Sequence, residues 1–361
     1  MQISRREFTR LGAMGLAAGA IPGMEAQTGG ARVGYCIIGL GEIANHFMAG
    51  IQQSEHCKIT GLVSGHRDKA EQMAAKFGVP KESIYSYEDM DRMRDNKAID
   101  AVYVALPNSM HAEYTIRSAK AGKHVLCEKP MCVTVEEGEA MIAACKAANV
   151  KLMIAYRCQY EPLNLQSIQM IRSGAIGEVQ SIESAFGFNI QKGVWRTDKK
   201  LAGGGSLLDV GIYSLNATRY LTGEEPAEFR AFVSTRDHDG RFEQIEENVS
   251  WVTKFPSGIL ASCSTTYGAN MPGFFRVNGS KGWLGMEPAF SYEGLRLRAS
   301  LPGNQEIDKS NPEKDPTQFQ READHFAECV RENRTPKTPG EEGLRDIRHI
   351  FAIYRAAGVS L

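Results

Sequence analysis

A chain of 361 residues with 42% apolar and 24% charged side chains has globular composition and the length of two ordinary domains. Its 42 Lys and Arg against 43 Asp and Glu give a formal net charge of -1, so no cationic excess exists to draw in a polyphosphate, which argues against a nucleic-acid partner. The eight cysteines (36, 57, 127, 132, 145, 158, 263 and 329) form no CxxC pair and several lie in apolar runs, so they read as small buried hydrophobes, and no metal site is assigned.

The start differs from the rest. Ser4-Arg5-Arg6-Glu7-Phe8 leads into an Ala/Gly/Leu-rich stretch from Leu11 to Ile21, with the small residue Ala26 near a cleavage point. That pattern is a twin-arginine export signal, too short to span a bilayer, and residues 1–31 are assigned to it and a short arm. It predicts a periplasmic protein that meets the Tat export machinery and has no stable membrane insertion. An Arg-Arg pair at a disordered start is the alternative.

From Val33 onward, apolar runs alternate with amphipathic segments. Val33 to Ile38, Ile59 to Val63, Ala101 to Leu106, His124 to Cys127 and Leu152 to Ala155 read as strands. Helices are expected from Asp68 to Phe77 before Gly78, from Ala112 to Ala121 before Gly122, and from Val135 to Ala148, where Thr134 and Glu137 have capping-box spacing. This α/β alternation predicts a Rossmann dinucleotide-binding domain with a parallel sheet over 32–156. Over 157–361 the pattern changes to longer strands, Glu178 to Phe188, Glu228 to Arg236, Asn248 to Phe255 and Ile259 to Tyr267, with a hairpin at Pro256-Ser257-Gly258. An α+β domain with a large open, mostly antiparallel sheet follows, closed by helices from Thr317 to Asn333 and Gly340 to Ala357.

Gly39-Leu40-Gly41-Glu42-Ile43-Ala44 follows the first strand and opens a helix. The glycines permit a tight turn and close approach of backbone to a pyrophosphate, which the helix N-terminus holds. The second strand ends in Ser64-Gly65-His66-Arg67-Asp68-Lys69, without the acid that would hold a ribose hydroxyl. Ser64, Arg67 and Lys69 are donors suited to a 2′-phosphate, which favours NADP; a solvated turn capped by Asp68 is the bland alternative.

Glu128-Lys129-Pro130 lies just beyond a strand's carboxyl end, where α/β sheets bind ligands. The Lys129 ammonium can bond a substrate hydroxyl, and Pro130 fixes the turn, with a cis bond as one option. Gly203-Gly204-Gly205 leads into a helix that places Asp209, Tyr213, Asn216 and Tyr220 on one stripe and Leu208, Ile212 and Leu215 on another. A phenol beside a cation is a usable acid or base for alcohol oxidation. Taken alone, a tyrosine such as Tyr213 is more often a packed core side chain.

These pieces resemble the glucose-fructose oxidoreductase, inositol dehydrogenase and rhizopine-catabolism (Gfo/Idh/MocA) family over about 32–361. The likeness is carried by the Gly39 loop, Leu106-Pro107-Asn108-Ser109-Met110-His111, Cys127-Glu128-Lys129-Pro130, Tyr156-Arg157 with Glu161-Pro162, and Gly203-Gly204-Gly205 leading to Asp209-Val210-Gly211. Tyr213, Trp195-Arg196 and the export signal look like the family's periplasmic glucose-fructose oxidoreductases. The resemblance implies a tightly bound, non-dissociating NADP that oxidises an aldose (glucose to gluconolactone) and then reduces a second sugar (fructose to sorbitol). An aldose–aldose pair or a simple NADP-dependent aldose dehydrogenase is the next reading, and an exported NAD-dependent glycosidase a distant one.

It further implies Lys129 and Tyr213 as acid/base pair, Asp209 as an orienting group, and Arg157 with Tyr160 as a substrate edge. Leu106, Asn108, His111, Glu128, Lys129, Arg157, Trp195 and Arg196 would border the nucleotide. A homodimer or homotetramer through the open sheet is implied as well. The family's prototype carries a long proline-rich arm that helps to trap nucleotide, whereas here about five residues separate Ala26 from Arg32.

Overall fold

In the computed structural model, which describes residues 32–314 and 316–359, the apolar runs of the N-terminal half pair as one parallel sheet. Its elements are β1 (Val33–Ile38), α1 (Glu42–Gln53), β2 (Cys57–Val63), α2 (Arg67–Phe77), β3 (Ile84–Tyr85), β4 (Ala101–Val104), α3 (His111–Lys120), β5 (His124–Glu128), α4 (Val135–Ala147) and β6 (Leu152–Ala155). The strand order is β3-β2-β1-β4-β5-β6 and every neighbour is parallel. All six residues of β1 are buried, as a sheet covered on both faces requires. The chain leaves β1 in one direction and returns through β4 in the other, so a crevice opens at the strands' carboxyl ends. Thr134 caps α4 by accepting from the Glu137 amide, while Glu137 reaches back to the Val133 amide, one residue beyond the ordinary box. The segment read as an export signal lies outside the described residues.

The second half contains α5 (Pro162–Arg172), β7 (Val179–Gly187), α6 (Lys199–Ala202), a π-helical turn (Leu207–Gly211) and α7 (Ile212–Thr222). Then follow β8 (Glu228–Ser234), β9 (Asn248–Lys254), β10 (Leu260–Thr266), β11 (Met271–Gly279), β12 (Trp283–Met286), β13 (Arg296–Leu301), β14 (Gln305–Ser310), α8 (Thr317–Arg331) and α9 (Gly340–Ala356). Its eight strands run β14-β13-β12-β11-β7-β10-β9-β8, and all pairs are antiparallel except β7 with β10. The expected hairpin joins β9 to β10. Strands β11, β13 and β14 carry no long apolar run, because charged residues such as Arg276, Arg296, Arg298 and Lys309 interrupt them and β14 is an exposed edge, and β12 is apolar but only four residues long.

One face of this sheet packs on α7 and α9, and the other is open, leaving Phe232 81% exposed with Val252 and Leu260 beside it. The last two helices return to the first sheet. Helix α8 packs on α1, where the Tyr35 hydroxyl donates to the Ala323 carbonyl, and α9 packs on α4. All eight cysteines are free and buried, and burial pushes their thiols up, so they behave as hydrophobes. No described helix is long and apolar enough to cross a membrane.

Candidate active site

The turn after β1 explains its glycines. Gly39 has φ +88°, and a Cβ there would lie 2.4 Å from the Ala105 carbonyl oxygen, so no other residue fits. Gly41 begins α1 without any side-chain cap, and a Cβ on it would meet nothing within 4 Å. Free first-turn amides facing open space are a cradle for an anion, and this one fits a dinucleotide pyrophosphate. Leu40 and Ala44 are buried, while Glu42 and Ile43 line the cleft.

At the tip of β2 the structure treats the expected donors differently. Ser64 is buried and its hydroxyl accepts from the His66 amide, with Gly65 against the Tyr87 ring. Arg67 donates to the Ile84 carbonyl and pairs with Glu71, so its guanidinium is engaged on β3, held by an exposed ion pair of little strength. Lys69 is exposed on α2.

A cleft of about 1160 Å³, counting its open mouth, runs from Gly39–Ile43 past Leu106, Asn108 and His111 to Glu128, Lys129, Trp195, Arg196, Asp209 and Tyr213. Asn108 donates to the Ala202 carbonyl, tying the loop after β4 to the second half. The His111 ring nitrogens lie 2.8 Å from the Leu106 and Pro130 carbonyls; burial brings the ring down to about 4, so the imidazole is neutral, donates its single N–H to one of these carbonyls and packs against the other between the loops after β4 and β5.

Glu128 accepts from the Tyr103 hydroxyl at 2.5 Å and from the Lys129 amide, and burial raises its carboxyl. The Lys129-Pro130 bond is cis. The Lys129 ammonium donates to the Asp209 carbonyl (2.7 Å) and carboxylate (3.1 Å) and lies 4.8 Å from the Tyr213 ring centroid. Burial opposes its charge, but the Tyr213 oxygen and the Asp209 and Glu128 carboxylates outweigh burial and push it up to about 12. Lys129 is therefore an ammonium throughout the neutral range.

Asp209 also accepts from Arg196 (2.9 Å) and from the Tyr267 hydroxyl (2.6 Å). Burial alone would raise its carboxyl, yet Lys129, Arg196 and Tyr267 hold it well below the usual carboxylate range. Trp195 stacks under the Arg196 guanidinium at 4.6 Å. The π-turn that presents Asp209 is anchored by buried Glu246, whose carboxylate accepts from the Gly205 and Leu207 amides and the Tyr354 hydroxyl. A Cβ at Gly205 would lie 2.2 Å from the Glu246 carbonyl oxygen, which explains that glycine.

The predicted stripe on this helix divides. Asp209 and Tyr213 face the cleft, whereas Asn216 turns inward to Gln159 and Asp346, and Tyr220 donates to Asn164. Arg157 sits buried behind Tyr213, donating to its oxygen (3.4 Å), to the Phe290 and Ser291 carbonyls and to Gln318. It touches the ring without lining the cleft. Tyr160, expected at the substrate edge, is instead a core side chain: its hydroxyl meets Thr338 at 3.0 Å, because the 3-10 turn Arg157–Tyr160 points it back under β6.

Tyr267, Glu246 and Tyr292 escaped sequence reasoning, having no local motif. Tyr103 had a usable signal, since a lone phenol in a buried apolar strand needs a partner.

Residues 33–156 match the model of an oxidoreductase family with an NAD-binding Rossmann fold, and residues 165–285 match the GFO/IDH/MocA C-terminal domain. The chain is 32% identical over 334 residues to a D-xylose 1-dehydrogenase (NADP⁺) of Haloarcula marismortui, covering 90% of this chain and 91% of the relative. The structure of an aldose–aldose oxidoreductase from Caulobacter crescentus, solved with glycerol, superposes with a TM-score of 0.87 at 45% identity, covering 91% of this chain and 98% of that one. A 3-ketoreductase from Actinomadura kijaniata, at 23% identity and a TM-score of 0.79 over 90% of this chain and 98% of that one, shares the fold.

Proposed function

The chain belongs to the GFO/IDH/MocA oxidoreductase family and is an NADP-dependent oxidoreductase acting on CH–OH groups of sugars; from that premise we propose that it oxidises an aldose to its lactone and reduces a second sugar with the same, retained nucleotide. The observation that carries this reading is the meeting of Lys129, Asp209 and Tyr213 at one end of a cleft whose other end is the glycine cradle. Bound NADP(H) supplies the hydride acceptor and donor. Tyr213 takes the anomeric hydroxyl proton and returns one to the second sugar. Lys129, a permanent cation, bonds that hydroxyl and stabilises the negative charge that develops on oxygen. Asp209 fixes the ammonium through two contacts, and Arg157 holds the phenol from behind.

The likeness to the aldose–aldose oxidoreductase supports a second aldose as acceptor ahead of fructose. The twin-arginine segment supports export to the periplasm, where a retained nucleotide removes dependence on a free pool. The open sheet face with Phe232 supports a homo-oligomer.

Protein purified without added nucleotide is mixed with glucose and then with xylose or fructose while NADPH absorbance is followed. The reading requires the signal to rise with the first sugar and fall with the second. Absence of bound nucleotide, or turnover only with added NADP, contradicts retention.

A further inference from the structure

The loop between β12 and β13 is held in an unusual way. Three consecutive carbonyls, of Phe290, Ser291 and Tyr292, accept from two buried side chains: Arg157 donates to the first two (2.5 and 3.1 Å) and Gln318 of α8 to the last two (3.2 and 2.8 Å). Arg157 also donates to the Gln318 amide oxygen at 2.7 Å, so the two clamps are one unit. Surface loops ordinarily leave such carbonyls to water, so buried side chains committed to them fix the loop's position.

What the clamp positions is the Tyr292 ring. It stands 36% exposed in a wall of the cleft, with the Arg157 guanidinium 4.5 Å from its centroid and the His46 ring of α1 at 4.5 Å. The same cleft is lined by Gly41, Glu42 and Ile43 at one end and by Tyr213 at the other. A dinucleotide whose phosphates rest on that turn and whose reactive end reaches Tyr213 therefore runs past Tyr292.

We propose that the 287–295 loop is a strap that retains the nucleotide, with Tyr292 as its contact residue and the Arg157–Gln318 clamp as its anchor. This rests on the nucleotide-dependent reading above and gives this chain a means of retention that does not use an N-terminal arm. Burial and the nearby Tyr213 push the Tyr292 hydroxyl up to about 12, so it faces an anionic ligand as a neutral donor and not as a repelling phenolate.

Full-length protein loaded with NADPH is mixed with excess NADP⁺, and loss of tryptophan-sensitised NADPH fluorescence gives the dissociation rate. Tyr292→Ala is expected to release nucleotide at least tenfold faster than wild type, and Gln318→Ala, which frees the anchor without touching the cleft, to release it faster by a smaller factor. If Tyr292→Ala does not fold, Tyr292→Leu keeps the contact with Phe319 and is read the same way. Wild-type release rates in the Tyr292 variant overturn the strap while leaving the function intact. A wild-type protein that binds no nucleotide overturns both, and bound nucleotide without sugar turnover overturns the substrate assignment alone.

Discussion

The two ends of the cleft are built from different materials. At the nucleotide end the working groups are backbone: a left-handed Gly39, an uncapped helix start and carbonyls braced by His111. At the chemical end they are side chains drawn from distant elements, with Lys129 and Asp209 separated by 80 residues and Tyr267 by another 58. Backbone sites depend on local dihedrals and tolerate changes in side-chain charge. Side-chain sites depend on which buried charges meet, so each member matters through its partners.

Lys129→Ala tests that contrast most severely. Turnover is expected to fall by about 10²–10³-fold, the range for a lost donor that stabilises developing negative charge, with nucleotide affinity kept within a few fold. Equal loss of both would erase the distinction between the ends. Gly39→Ala should do the reverse, weakening nucleotide binding and lowering stability by about 2–4 kcal/mol from the left-handed backbone and the contact with Ala105, as read by denaturant unfolding and NADPH titration.

Glu322 of α8 lies at the seam between the halves, fully buried, and neither carboxylate oxygen has a hydrogen-bond partner among the described residues. Burial, with Glu128 adding to it, raises its carboxyl well above the usual value. A raised carboxyl contributes stability below its unfolded value near 4.5 and loses it as pH climbs through the folded value. Glu322→Gln should therefore gain on wild type between pH 5 and pH 9, by about 1–3 kcal/mol at the upper end; a pH-independent difference in melting temperature would contradict this. Asp209 has the opposite sign, since its depressed carboxyl stabilises above about 3.8 and loses that contribution only as pH falls further. The smallest effect belongs to Tyr160→Phe, expected to cost about 1 kcal/mol through the Thr338 bond and to leave turnover unchanged. A large drop in turnover would return Tyr160 to the substrate edge.

The same contrast decides what could be read in advance. The parallel sheet, the glycine turn and the Glu128-Lys129-Pro130 loop were legible because each rests on spacing within a dozen residues. The π-turn was not, and neither was the end of the stripe: Asn216 and Tyr220 share the regular helix α7 with Tyr213, but one and two turns further on they meet the buried partners Gln159, Asp346 and Asn164, so of the stripe Asp209 and Tyr213 line the cleft. Tyr160 misled because it neighbours Arg157 in sequence while the intervening turn separates their directions. Strands β11 and β13 were invisible because charged residues break their interior-facing pattern, and β12 because it is only four residues long.

The central claim is that the side-chain end performs the proton chemistry while the backbone end holds the nucleotide. Its most direct test is single-turnover reduction of bound NADP by glucose in wild type and Tyr213→Phe, each saturated with nucleotide. Equal nucleotide affinity with hydride transfer slowed by about 10²–10⁴-fold in the variant is the predicted result. Transfer at the wild-type rate would show that the proton leaves by another group and would contradict the account.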